Sequence, residues 1–488
     1  MSRSLEAGLV GKTYDDFLFR PQRGVVTSRR EVSLRTRLSR HLSLELPIVS
    51  ANMDSVTGAT MAKAMALEGG IGFIHRALSI DAQARAVQEV KRTHGQTVER
   101  PLSLPRDATI REAREFTRKH KITGILIEET RGSNVLAGLL SNRDMPWRED
   151  REGHRVDEFM TPVDELVTAP PDIGPDEAEQ LLFENRVEKL PLIDRERRVH
   201  GLITKRDAIL ARSRPSSSKD AKGRLLVGAA IGARGDFLER AAELVRAGVD
   251  TLVIDIAHGH SDVMRQAVEG VRARLGSVEL VCGNVGTAEG AAFLRDLGAD
   301  GMKVGIGPGR GCRTRLETAA GVPQLQALRE VWCAVEESVP IIADGGVKDD
   351  KDLFLALVCG ASSVMLGSML SGTDEAPGDV IEDPGTGEKR KIYRGMTSPQ
   401  AVLEALYDAE SPDIRDAALD VPAEGQEVQI PYKGTVLDTL HRIRGHLRSA
   451  VSYAGGRSLS DVRERVLADP MQYLIPLSEA ARRESYER

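Results

Sequence analysis

Eight short apolar runs, each closing on a small or polar residue, recur along this chain and dictate the fold it can reach. They are Leu46 to Asp54, Gly69 to His75, Leu225 to Gly232, Thr251 to His258, Leu280 to Asn284, Met302 to Gly307, Pro340 to Gly346 and Ser363 to Ser368. Helix-length amphipathic stretches such as Gly235 to Ala247 and Ala288 to Leu297 separate the later ones, so strand and helix alternate. The predicted architecture is α/β, a (β/α)8 barrel whose loops after the strands carry the function.

A different pattern interrupts this alternation, dividing the barrel into a first part, residues 1–96, and a second, residues 215–488. Within the intervening block, residues 97–214, Leu136 to Asp144 is echoed by Val199 to Asp207, 63 positions on (144 to 207), and Lys121 to Ile127 is echoed by Val187 to Ile193. This is an internal duplication of βαββα-like units. The Ser/Pro/Lys stretch Ser213 to Lys222 reads as the linker back into the barrel. The block resembles a tandem pair of cystathionine-β-synthase (CBS) modules, which implies adenine or guanine nucleotides as ligands. The alternative is a purely structural insert, since fold alone does not fix function.

At 488 residues the chain is long enough for a barrel with an insertion. A net charge of -6 with dispersed basic residues gives no footprint for nucleic acid. Cys282, Cys312, Cys333 and Cys359 show neither paired nor metal-finger spacing, which fits a reducing compartment. The N-terminus lacks the apolar core of a secretory signal and no stretch is long and apolar enough for a membrane span, so a cytoplasmic protein is expected.

Cys312 sits in Lys303-Val-Gly-Ile-Gly-Pro-Gly-Arg-Gly-Cys-Arg-Thr-Arg315, a thiol on a glycine-rich loop directly after a strand-like segment. Gly305, Gly307 and Gly309 let the backbone take positive φ and approach a ligand, and the flanking arginines would favour thiolate. The run is not a dinucleotide fingerprint, because the third glycine is misplaced and no acidic partner follows in a doubly wound unit. Gly345, Gly346, Gly367 and Ser368 follow two apolar runs near the end of the barrel, where bare amides and a hydroxyl can wrap a phosphate, with Asp344 as an acceptor for ribose hydroxyls.

Together with Asn52-Met-Asp-Ser-Val-Thr57, Ala343-Asp-Gly-Gly346, Val364-Met-Leu-Gly-Ser368, Tyr393-Arg-Gly-Met396, Glu424-Gly425 and Pro431-Tyr-Lys-Gly434, the Cys312 loop resembles the IMP dehydrogenase and GMP reductase family over nearly the whole chain. The resemblance implies Cys312 as the nucleophile toward purine C2, with Thr314 and Glu424 handling protons. It implies a purine mononucleotide held by Met53, Arg310, Asp344, Gly345, Gly346, Gly367, Ser368, Tyr393, Gly395, Met396 and Glu424. Asp255, Asn284 and Gly305 would face NAD, or NADP in a reductase. Carbonyls of Gly307, Gly309 and Cys312 would hold a monovalent cation such as K+, and the assembly would be a homotetramer or octamer. Read singly, Thr314, Glu424, Asp255 and Asn284 fit structural roles as well.

Two directions stay open. The dehydrogenase converts IMP, NAD and water to XMP and NADH; the reductase converts GMP and NADPH to IMP and ammonia. Dehydrogenases of the family carry an Arg-Tyr pair in a flap, here residues 397–423, where the only arginine is Arg415 followed by Asp416, and Arg310 replaces the usual serine of the cysteine loop. The 28 positions from Met396 to Glu424 and the CBS block lean to the dehydrogenase. Cys312, Thr314 and Glu424 complete the reductase set. A nucleotide-binding paralogue of weakened activity is the third reading.

Overall fold

The computed structural model describes residues 5–93, 101–120, 122–146, 151–398 and 424–486. The chain divides into two units, Met1–Thr93 with Ser216–Asp220 and Leu225–Arg488, and His94–Pro215 with Ala221–Arg224.

The first unit is a closed barrel of parallel strands in chain order: β1 (Ile48–Ser50), β2 (Ile71–Ile74), β3 (Gly228–Ile231), β4 (Thr251–Asp255), β5 (Glu279–Val285), β6 (Gly301–Val304), β7 (Ile341–Asp344) and β8 (Ser363–Leu366), with β8 pairing back onto β1. Each of the eight apolar runs carries one of them. Their side chains face either the barrel interior or the surrounding helices, so nearly all are buried and the runs do not alternate with polar residues. The helices of this unit include α1 (Ala59–Leu67), α2 (Ile80–Thr93), α3 (Phe237–Ala247), α4 (Asp262–Leu275), α5 (Ala288–Asp296), α6 (Gln324–Val335), α7 (Asp350–Val358) and α8 (Val436–Tyr453). Ser261 and Thr287 cap α4 and α5 by accepting the backbone N–H of Met264 and Gly290.

The chain leaves the barrel after α2 and returns at Ser216. Lys91 of α2 lies 3.0 Å from Asp220 on the returning segment and 2.6 Å from Asp250 ahead of β4, so one buried ammonium ties both ends of the insertion to the barrel. Burial pushes the Asp250 carboxyl up to about 6 despite the pull of Lys91.

In the inserted unit, Ser103–Pro105, Gly124–Glu128, Leu136–Ser141 and Thr161–Pro162 form one sheet, and Lys189–Ile193 pairs antiparallel with Val199–Thr204. The two echoed sequence pairs lie on the two hairpins, and the helices Ile110–His120 and Pro175–Glu184 precede them, so the repeat in sequence is a repeat of helix, strand and strand. After β8, an antiparallel sheet of β9 (Ile381–Glu382), β10 (Lys389–Arg394) and β11 (Glu427–Pro431) sets Tyr393 opposite Val428. Residues 399–423, and Arg415 with them, lie outside the described residues. Among the described residues no helix is long and apolar enough to cross a membrane.

Candidate active site

Loops after the barrel strands converge on one cleft of about 420 Å³, and every site residue read from the sequence lines it except Arg415. The cysteine loop leaves β6 through Gly305 (φ 151°) and Gly307 (φ 76°). A Cβ on Gly305 would collide with the Asp344 carbonyl oxygen, so the close passage of β6 past β7 requires glycine there. Gly309 differs from the expectation: its φ is not positive and a Cβ there would meet only Cys312 Cβ, at 3.7 Å, whereas Gly345 (φ 86°) is the crowded position, its Cβ falling 3.0 Å from Gly309 N.

Cys312 is half-buried, with Sγ 3.2 Å from Thr314 Oγ1, and the Thr314 hydroxyl donates to Glu424 Oε2 at 2.7 Å. Backbone bonds fix this chain of groups. Arg313 N donates to Glu424 O at 2.7 Å, Gln426 N to Gly311 O at 3.0 Å, and Cys312 bridges Gly425. Gly425 N in turn donates to Thr397 O at 3.1 Å.

The arginines flanking the thiol make their hydrogen bonds elsewhere, while Arg315 stays within electrostatic reach of the Cys312 sulfur. Arg313 pairs with Glu317 at 2.7 Å, and Arg315 donates to Ile306 O at 3.0 Å and to Val322 O. Loop carbonyls need donors, and the Arg315 guanidinium supplies them; the sulfur's own hydrogen-bond partner is Thr314. Burial pushes the Cys282 and Cys359 thiols up to about 12 and Cys333 is also buried, so of the four cysteines only Cys312 lines the cleft.

At one end of the cleft, Gly345 and Gly346 (φ 86° and 79°) follow Asp344, while Gly367 and Ser368 follow β8. Tyr393 Oη lies 3.6 Å from Met53 Sδ, and a Cβ on Gly367 would come within 2.8 Å of that hydroxyl. Arg394 grips Asp54 at 2.6 Å and Gly395 N donates to Gln426 O at 3.0 Å, so Tyr393 to Met396 are held against the cysteine loop. Arg310 is exposed, its carbonyl accepting from Gln426 Nε2 at 2.8 Å.

Deeper in the strand ends, Asp255 closes β4 and Asn284 lies in β5, next to Asp344. Between Asp255 and Asp344 stands Lys303 of β6, a residue that reading the sequence missed, at 2.9 Å from each carboxylate. Burial would raise the Asp255 carboxyl, but Lys303 and a 2.6 Å bond from Asn52 Nδ2 carry it below the ordinary value. Burial opposes the Lys303 charge, and the two carboxylates carry its pKa above the ordinary range. Asn284 Nδ2 donates to Gly305 O (2.8 Å) and Asp344 Oδ2 (2.9 Å). The one available signal for Lys303 was a charged residue inside an apolar strand run.

A model of the IMP dehydrogenase / GMP reductase domain matches residues 11–487. The chain belongs to the IMP dehydrogenase / GMP reductase family. Membership makes it an oxidoreductase that works with a nicotinamide nucleotide. Relatives in this family include inosine-5'-monophosphate dehydrogenase of Nitrosopumilus maritimus, 42% identical over 93% of this chain and 94% of its own, and that of Aquifex aeolicus, 42% identical over 93% and 92%. Among solved structures, a GMP reductase variant of Trypanosoma brucei in complex with guanosine 5'-monophosphate aligns with TM-score 0.88 and 38% identity over 98% of this chain and 97% of that one. The same organism's GMP reductase in complex with guanosine 5'-triphosphate aligns with TM-score 0.78 and 35% identity, covering 96% and 98%. A match over 98% of this chain extends through the inserted unit, so both branches of the family accommodate such an insertion.

Proposed function

We propose that the chain acts on a purine mononucleotide at C2, with Cys312 as nucleophile and Thr314 with Glu424 as its proton-handling pair. The observation that carries this reading is the unbroken chain from Cys312 Sγ through Thr314 Oγ1 to Glu424 Oε2, at 3.2 and 2.7 Å. Sγ bonds to C2 as the C2 hydride leaves IMP for the oxidised nicotinamide, or as ammonia leaves GMP, and the thioimidate so formed splits one difficult displacement into two easier ones. Gly345, Gly346, Gly367 and Ser368 bind the phosphate, Asp344 the ribose, and Met53 with Tyr393 the base. Asn284 Oδ1, buried without a hydrogen-bond partner among the described residues, offers an acceptor that fits a carboxamide donor. A nicotinamide nucleotide, when bound, supplies the hydride chemistry at C2. The loop carbonyls of Gly307, Gly309 and Cys312 are the donors for a monovalent cation, and the inserted unit is a tandem CBS pair for adenine or guanine nucleotides in a tetrameric or octameric enzyme.

The dehydrogenase direction, IMP to XMP with NAD, is the reading that the 42% identical relatives favour. There Thr314 and Glu424 take the proton of the water that hydrolyses the thioimidate. The reductase direction, GMP to IMP with NADPH, is favoured by a specific observation: residues 397–423 contain no Arg-Tyr pair to activate that water. The Thr314–Glu424 pair needs nothing further to protonate departing ammonia.

Purified protein incubated with IMP plus NAD, and with GMP plus NADPH, separates the directions by cofactor absorbance and ammonia. Steady turnover that survives Cys312→Ala would sink the nucleophile assignment. A single burst with IMP, without sustained turnover, would mark a hydrolysis-deficient site. Titration with ATP and GTP tests the CBS pair, and unchanged activity and assembly would count against it.

A further inference from the structure

Asp255 ends β4 and Asp344 ends β7, and they are read above as facing different ligands, the cofactor and the mononucleotide. One ammonium holds both. Lys303 Nζ lies 2.9 Å from Asp255 Oδ1, 2.9 Å from Asp344 Oδ2 and 3.4 Å from Asn52 Oδ1, three oxygens for its three protons. Its side chain is only 3% exposed, and neither carboxylate makes another ion pair among the described residues.

The neighbouring strand is shaped for this lysine. A Cβ on Gly283 of β5 would stand 2.6 Å from Lys303 Cβ and 2.8 Å from its carbonyl oxygen, so β5 carries no side chain where the lysine stem passes. Asn52 and Asn284 complete the set by donating to Asp255 Oδ2 and Asp344 Oδ2. Two carboxylates facing one cleft without a cation repel and take up a shared proton. A protonated carboxyl offers a donor where a ribose hydroxyl needs an acceptor.

We propose that Lys303 is a positioning residue for both subsites at once, so that the mononucleotide and the dinucleotide lose affinity together when it is replaced. This inference rests on the reading of Asp344 and Asp255 given under the proposed function.

The test is calorimetric titration of the full-length protein with IMP, GMP, NAD and NADPH separately. Asp344→Asn is expected to weaken only the mononucleotide and Asp255→Asn only the dinucleotide. Lys303→Met is expected to weaken both by roughly tenfold to a hundredfold, the range of a lost charged hydrogen bond, and Lys303→Arg to restore both in parallel. Iodoacetamide should alkylate Cys312 and leave buried Cys282, Cys333 and Cys359 unmodified in all variants, and that selectivity marks the barrel as intact. If Lys303→Met does not fold, Lys303→Gln is read in the same way. A folded neutral variant that binds both nucleotides like the wild type, or loses only one, overturns the inference. Wild-type protein that binds no purine mononucleotide would instead overturn the underlying site reading, and the inference with it.

Discussion

The Thr314 hydroxyl donates to Glu424 Oε2 at 2.7 Å across 110 positions of sequence, while Thr314 Oγ1 itself lies 3.2 Å from the Cys312 sulfur. A carboxylate is thereby linked to the Cys312 sulfur through one hydroxyl. Glu424→Gln keeps the shape and removes the base, so kcat should fall by about 10²–10³-fold with little change in mononucleotide affinity. Thr314→Ala should cost a similar factor. Steady-state kinetics beside calorimetry decide it, and an equal loss in affinity and rate would make the pair a binding element.

Gly367 leaves room for the Tyr393 hydroxyl, which a Cβ would approach to 2.8 Å. Gly367→Ala should displace the ring at a cost of about 1–3 kcal/mol and raise the mononucleotide KM. Adding Tyr393→Phe should recover part of that loss. A double variant no better than Gly367→Ala alone would show that the ring is not what the extra methyl strikes.

Arg310 stands exposed on the cysteine loop with its guanidinium at the cleft. Arg310→Ser should weaken the mononucleotide by roughly tenfold if that charge meets the phosphate. The corresponding nucleoside should bind equally to both proteins. A uniform effect on nucleotide and nucleoside would assign Arg310 to loop structure.

Asp250, pushed up to about 6 by burial, makes stability depend on pH. The fold holds the proton more tightly than the unfolded chain does, so the contribution is complete below the unfolded value of 3.8 and is lost as pH rises through about 6. Asp250→Asn has no such titration. The melting temperature of the wild type, taken relative to this variant, should fall between about pH 4 and pH 7. A constant difference across that window would mean that Asp250 stays ionised in the fold.

Reading outward from the sequence recovered all eight barrel strands, because strands buried on both faces leave uninterrupted apolar runs bounded by small and polar residues. The duplicated hairpins were legible for a different reason: both copies repeat Gly-Leu-x-x-x-Arg-Asp along their second strand and just beyond it. Residues of the cleft that announce themselves by local pattern, Cys312 among its glycines and Asp344 before Gly345, were also found. Lys303 was not, because its meaning lies in Asp255 and Asp344 on other strands, and nothing in Met302-Lys303-Val304 refers to them. The hydrogen-bond partners of Arg313 and Arg315 were hidden for the same reason. Which carbonyls lack donors is settled only once the loop has closed.

Because Gly425 N is bonded to Thr397 O, the described chain on either side of residues 399–423 meets at one spot beside the Cys312 loop. An excursion with pinned ends can be lengthened, shortened or exchanged at small thermodynamic expense, since doubling a flexible loop adds only about 0.6 kcal/mol. The barrel, the thiol and its proton pair would be indifferent to such a graft. A lineage could therefore cross from one purine reaction to the other by exchanging the sequence between those two ends while the barrel and the Cys312 loop stood still.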